Sequence, residues 1–250
     1  WKRKSLRRYF KGCKGAEVLM NVALLLSGGT GTRLGADIPK QYIEVNGMPV
    51  LSYCLRTFLE LKQIDAVQIV ADGKWQDYIR KTCFKYDIQQ KIKGFSNPGE
   101  NRQLSIWNGL NDIRKYAPDD AVVVVHDAAR PGLSSQLLEE GLRAIEGHDG
   151  VLPVLPMKDT IYLSKDGTHI DSLLERSRLF AGQAPEFFYL EQYYQANKNL
   201  LPEKIYRING STEPAILQGL DMAMIPGEER NFKITTREDL MRFQRMTGEV

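Results

Sequence analysis

The sequence predicts an α/β fold in which helices cover the faces of a sheet, and three observations lead there. From Asn21 onward, short apolar runs alternate with amphipathic stretches, as strands and covering helices do when they take turns along a chain. One run, "AVVVVH" ending at His126, is apolar without alternation, as suits a central strand buried on both faces. A loop of small residues, "SGGTG" at 27–31, follows directly on the first apolar run, "NVALLL", where a strand-to-helix turn of such a fold can hold a ligand.

The elements follow in order. After the first strand and its loop, "YIEVNGMPV" contains Asn46-Gly47, a hairpin turn signal. From Val50, apolar residues at Leu51, Cys54, Leu55, Phe58 and Leu59 recur at helical spacing. "AVQIVA" is the second strand, followed by a helix near 74–85, a weak strand at "QKIKGF" and a helix across "ENRQLSIWNGLNDIRKY". Beyond the central strand come a helix near 134–146 and a strand at "GVLPVLP". The segment from Lys158 to Phe187 is too long and too patterned for an ordinary connection, and strands projecting from the body are expected there. Helices at "FYLEQYYQANK" and "EPAILQGL", strand-like "AMIP" and "NFKIT", and a last helix opened by the capping box Thr236 to Asp239 complete the chain.

With 250 residues, 42% hydrophobic and 26% charged, the chain fits one large domain or one domain with a small appendage. No stretch approaches the roughly 18 unbroken apolar residues of a membrane span, and the N-terminus lacks the apolar core of a secretory signal, so a cytoplasmic protein is expected. Cys13, Cys54 and Cys83 form no metal-ligand spacing and are read as reduced thiols. The net charge of +3 hides an asymmetry: residues 1–15 carry seven Lys or Arg and no acid. We read residues 1–20 as a basic leader or linker, a solvated junction to a further part of a longer polypeptide, and residues 21–250 as the functional domain. A basic arm also suits nucleic acid or an anionic membrane, but no nucleic-acid partner is expected.

Several readings compete for the first loop. A dinucleotide fingerprint fails, because Gly29-x-Gly31 is followed by Leu34 at the third glycine position and by Pro39, which would interrupt the phosphate-holding helix. The P-loop spacing is absent too. A phosphate cradle remains: small residues from Ser27 to Gly31 can offer free amides to an anion, with Arg33 and Lys40 on either side. Two cations around a nest of amides fit a triphosphate.

"GGTGTRLGADIPKQY" resembles the signature of sugar- and polyol-phosphate nucleotidyltransferases, in particular the cytidylyltransferases acting on methylerythritol phosphate and on ribitol phosphate. "ENRQLSI", "HDAARP", "KDT" and "NFKIT" follow in order, so five motifs of that family span residues 23–235. The resemblance implies a Rossmann-like, doubly wound, mixed but mostly parallel sheet with a protruding β-arm for dimerisation at about 158–187. It implies transfer of CMP from CTP to a polyol phosphate with release of pyrophosphate, the acceptor phosphate oxygen attacking the α-phosphorus in line.

By the same resemblance Arg33, Lys40 and Lys233 are the catalytic cations. The nucleotide is expected on Ser27, Gly28, Gly29, Gly31, Gly99, Glu100, Arg102 and Ser105, with backbone groups of Ser27, Gly28, Gly99 and Glu100 selecting the base. Asp127, at the end of the central strand, is the candidate ligand for Mg2+ and is also placed near the acceptor. Arg130 suits bidentate capture of the acceptor phosphate, and His126 is expected to be structural beneath the site. Thr160 and Arg176 correspond to acceptor residues of a homodimer in which the partner's arm completes the site.

The chain departs from the family where Thr-Pro-Gln becomes Ala184-Pro185-Glu186 and where Thr-Asp becomes Thr212-Glu213, followed by Pro214; these departures leave acceptor identity open. Ser27-Gly28 and "LFAGQ" favour D-ribitol 5-phosphate as acceptor, while "HDAARP" pulls toward 2-C-methyl-D-erythritol 4-phosphate and isoprenoid synthesis. A non-catalytic nucleotide-binding module is the alternative of a different class.

Overall fold

The computed structural model describes residues 19–29 and 38–248. The expectations placed on the basic leader, Cys13, Gly31 and Arg33 lie outside the described residues.

β1 (Asn21–Leu26) leads into the glycine loop, and a 3-10 turn at Lys40–Tyr42 follows Pro39. β2 (Glu44–Val45) and β3 (Met48–Pro49) form a small hairpin. Its turn residues Asn46 and Gly47 both have positive φ, 50° and 69°, which is the backbone that Asn-Gly tolerates best. Then come α1 (Val50–Glu60), β4 (Ala66–Val70), α2 (Gly73–Cys83), β5 (Ile92–Ser96), α3 (Arg102–Ile113) and β6 (Val122–Asp127). α4 (Ser135–Ala144) and β7 (Gly150–Pro156) follow, then β8 (Tyr162–Leu163), β9 (Ser172–Leu173), β10 (Phe180–Gly182) and β11 (Glu186–Tyr189). α5 (Leu190–Lys198), α6 (Glu213–Leu217), β12 (Met222–Pro226) and α7 (Arg237–Met246) end the chain.

The main sheet runs β12-β7-β11-β6-β1-β4-β5, with β10 preceding β11 along the same edge of β7. β1, β4, β5 and β6 are mutually parallel, β12 is parallel to β7, and β10 and β11 run antiparallel to their neighbours. The chain winds outward from β1 through β4 to β5, then returns to place β6 on the other side of β1. That reversal opens a crevice at the carboxyl ends of β1 and β6, where open α/β sheets hold their ligands.

Both faces of the sheet are covered, as the unalternating valines of β6 require. Val122 and Val124 join Ala23, Leu25 and residues of α1 in one core, while Val123 and Val125 join Val22, Leu24 and residues of α3 and α5 in the other. A smaller cluster of Val45, Val50, Ile234 and Phe243 ties α7 and the segment before it to the β2–β3 hairpin. Cys54 and Cys83 are buried free thiols. No helix among the described residues is long and apolar enough to cross a membrane.

Three expectations change. The segment from 158 does project, but only its first part does so: β8 and β9 pair as a separate hairpin, while β10 and β11 return to the main sheet along one edge of β7. Residues 188 and 189, expected to begin a helix, end β11, because Phe188 and Tyr189 pair with Val123 and Val122. "NFKIT" is not a strand; it is anchored by side chains and by the bond from Ile234 N to Ala129 O, 2.8 Å.

Candidate active site

A cavity of about 490 Å3 opens at the crevice. On one side β1 ends at Leu26, whose register partner on β6 is Asp127, so the strand pairing itself sets the glycine loop beside the carboxylate. Gly28, Gly29 and Lys40 line the cavity on the β1 side, and Gly99, Glu100, Arg102 and Ser105 form a further wall. Asp127 and Lys233 complete the rim.

The wall at 99–105 is built by a helix start. Asn101 caps α3 by accepting from Leu104 N at 2.7 Å, and Ser105 Oγ accepts from Gly99 N at 3.0 Å while donating to Asn101 O at 2.9 Å. Glycine is required at 99, because a Cβ there would stand 2.3 Å from Leu104 Cβ and 2.6 Å from Leu104 C. Arg102, the first residue of the helix, therefore projects into the crevice.

Asp127 is the electrostatic centre. Its Oδ1 is 3.2 Å from Arg102 Nε, and its Oδ2 lies 3.1 Å from Lys233 Nζ and 3.5 Å from Arg130 Nε. Burial alone would raise its pKa, but Arg102, Lys233 and Arg130 outweigh that penalty and hold the carboxyl far below the usual carboxylate range. Lys233 reaches this point because Ile234 is buried in the small cluster and Phe232 packs against it.

Beneath the rim, His126 is fully buried and its Nε2 stands 3.1 Å from Arg130 O. A carbonyl only accepts, so Nε2 carries the proton. Burial lowers the His126 pKa to about 4, which keeps the ring neutral and structural, as the sequence suggested. Arg130 is held by more than Asp127: its Nη1 donates to Asn231 O at 2.9 Å. Asn231, itself fully buried, donates to Ala184 O at 2.7 Å.

Glu186, one of the departures from the family pattern, meets the threonine that the second departure leaves unchanged. Glu186 is buried and accepts from Ser211 Oγ and, at 2.9 Å, from Thr212 Oγ1, with Arg102 Nη2 at 3.9 Å from its other oxygen. Burial raises the Glu186 pKa against the pull of Arg102 and the two hydroxyls. Arg102 thus lies between two acids, one on the rim and one below.

The remaining site expectations are placed as follows. Ser27 is buried and does not line the cavity; its carbonyl accepts from Gln41 and Tyr42 at 2.8 and 2.9 Å, so both lone pairs are already engaged. Thr160 and Arg176 are exposed on the arm segment, away from the cavity lining, and Arg176 Nη1 donates to Lys158 O at 2.8 Å. Gln41, Asn101 and Thr235 also line the cavity, and none was singled out from the sequence. Among the described residues no cluster of three or more His, Cys, Asp or Glu could hold a metal. Asp127 and Glu100 both line the cavity, and so small a carboxylate set suits Mg2+ that arrives on phosphates, since Mg2+ is commonly bound by one or two carboxylates plus substrate oxygens.

A glycine loop and a rim of cations set around one carboxylate, at the switch point of a doubly wound sheet, define a site for a polyanionic nucleotide. Residues 21–248 match the family model of IspD, 2-C-methyl-D-erythritol 4-phosphate cytidylyltransferase, and the chain belongs to this family of CTP-dependent nucleotidyltransferases. It is 33% identical over 226 residues, 90% of this chain and 94% of the relative, to ribitol-5-phosphate cytidylyltransferase of Vibrio parahaemolyticus. It is 36% identical over 227 residues, 88% of this chain and 91% of the relative, to 2-C-methyl-D-erythritol 4-phosphate cytidylyltransferase of Rubrobacter xylanophilus. In three dimensions it is similar to 4-diphosphocytidyl-2C-methyl-D-erythritol synthase of Anaerococcus prevotii, with a TM-score of 0.79 and 25% identity, covering 92% of this chain and 97% of that one.

Proposed function

We propose that this cytidylyltransferase uses D-ribitol 5-phosphate as acceptor and forms CDP-ribitol and pyrophosphate. The observation that carries the site reading is the convergence of Arg102, Arg130 and Lys233 on Asp127 beside the glycine loop. A transfer between two phosphorylated reactants concentrates negative charge, so catalysis here is mainly positional and electrostatic. Lys40 and Lys233, which both line the cavity, neutralise the triphosphate, a role the family resemblance also gives to Arg33. Gly28, Gly29 and the Gly99–Ser105 wall hold the nucleotide. Asp127 orders the cations before substrate arrives, and Arg130 faces the acceptor phosphate. Mg2+, held by Asp127 and the phosphates, supplies further charge neutralisation when bound.

Support for the ribitol acceptor comes from the relatives bearing that name, which match 90% of this chain, and from "LFAGQ". The second reading, 2-C-methyl-D-erythritol 4-phosphate, is favoured by the 36% identity to the Rubrobacter relative. In either case the arm carrying Thr160 and Arg176 supports a homodimer whose partner arm completes the acceptor site, since neither residue lines the cavity of its own chain. Pyrophosphate release with CTP and Mg2+, measured with each acceptor separately, tests the choice. Preference for the ribitol compound by an order of magnitude or more in kcat/KM supports the reading; preference for the methylerythritol compound replaces it with the second.

A further inference from the structure

Gln41 lines the cavity beside Gly28 and Gly29, and the reaction as set out above gives it no part. It is 3% exposed, and its Nε2 donates to Ser27 O at 2.8 Å and to Gly29 O at 2.7 Å. Both hydrogens of one side-chain amide are thus spent on the two carbonyls that flank Gly28. The neighbouring Tyr42 grips the same loop: its hydroxyl donates to Ser27 O at 2.9 Å and accepts from Ser27 Oγ at 3.1 Å. Tyr42 is itself fixed, 1% exposed and stacked on Trp75 with ring centroids 4.3 Å apart.

We infer that Gln41 is a positioning residue for CTP, whose side-chain amide sets the conformation of the glycine loop against which the nucleotide phosphates bind. The inference rests on the reading of the cavity as the CTP site. In a trans peptide the N–H points opposite to the C=O, so pinning the Ser27 carbonyl turns the Gly28 N–H away from Gln41. On its other side Gly28 abuts Pro98, where a Cβ would come within 2.5 Å of Pro98 Cβ. The loop is therefore gripped from two sides in one conformation. Lys40 belongs to the same 3-10 turn as Gln41, so the turn that brings a cation to the cavity also fixes the amides beside it. A loop without this grip would have to be ordered by the ligand, and that ordering is subtracted from affinity.

The test is direct titration of the full chain with CTP and with cytidine in the presence of Mg2+, for the wild type, Gln41→Met and Gln41→Glu. Methionine keeps the length of the side chain and donates nothing, and glutamate sets a charge against two carbonyls. The expected result is a roughly tenfold weaker Kd for CTP in Gln41→Met, the loss of two hydrogen bonds being felt only in part, and a larger loss in Gln41→Glu. Cytidine, which has no phosphates, should bind within twofold of wild type, and the Tm of Gln41→Met should stay within a few degrees. A CTP Kd within twofold of wild type overturns the inference. So does an equal loss for CTP and cytidine, which marks general loosening of the site. A wild-type protein that does not bind CTP overturns the reading of the cavity itself, and the inference with it.

Discussion

Lys233 Nζ stands 3.1 Å from Asp127 Oδ2, although one residue comes from the segment before the last helix and the other from the central strand. The ammonium is held there by its neighbours, Ile234 buried and Phe232 packed against the same cluster, and its own side chain is about a third exposed, at 35%. Removing it should therefore change chemistry more than stability. Lys233→Ala is expected to lower kcat by about 10² to 10³, as loss of a preorganised charge donor does, with Tm within a few degrees of wild type. Steady-state kinetics beside a thermal melt checks both.

Asp127 should affect stability as well as chemistry. Its carboxyl is held well below its unfolded pKa by three cations, so its contribution to stability is complete above about pH 4, the ordinary carboxylate value, and is lost as pH falls further. Asp127→Asn removes the carboxylate that Arg102, Arg130 and Lys233 share and leaves only Glu186 near Arg102, at a cost on the order of 2 kcal/mol after allowing for partial exposure of the partners. Urea titrations should show a constant deficit for the variant between pH 7 and pH 5, narrowing below about pH 4.

His126 gives a second, separate pH window. Burial depresses its pKa to about 4, so the unfolded chain takes up a proton near pH 6.5 that the folded chain refuses. Stability is then fully present above about pH 6.5 and declines as pH falls toward 4, by up to about 3 kcal/mol. A His126→Gln variant, which cannot titrate, should lose less stability than wild type between pH 7 and pH 4.5 in the same urea experiment.

Gly99→Ala tests the nucleotide wall. The added Cβ would meet Leu104 and the first turn of α3 at 2.3 to 2.6 Å, and the loop must shift, straining the bond from Gly99 N to Ser105 Oγ. A rise in KM for CTP of roughly tenfold is expected, with a stability loss of about 1–3 kcal/mol and an acceptor KM within twofold of wild type. Parallel changes in both KM values would contradict the assignment of this wall to the nucleotide.

What the sequence made legible follows from which signals are local. β6 declared itself because burial on both faces leaves no polar residue to alternate, and α7 because its capping box is written in two residues three apart. β11 was harder: its apolar run abuts the amphipathic pattern of α5, and only pairing with β6 decides where the strand ends. "NFKIT" alternates like a strand, yet it is set by Asn231 and Ile234 reaching distant carbonyls and a side cluster. Gln41, Asn101 and Thr235 carried no periodic signal. Asn101 immediately before a helical pattern is a cap signal that could have placed it, whereas the two bonds from Gln41 to the loop exist only once the turn after Pro39 has folded back.

Radiolabel at the α-phosphate of CTP tests the central claim most directly. Incubated with Mg2+ and D-ribitol 5-phosphate, the wild-type protein should move the label into a CDP-polyol that co-migrates with CDP-ribitol, with pyrophosphate in equal amount, and Lys233→Ala should form almost none. Label that stays in CTP or appears only in CMP with every polyol phosphate supplied would contradict cytidyl transfer as the chemistry of this site.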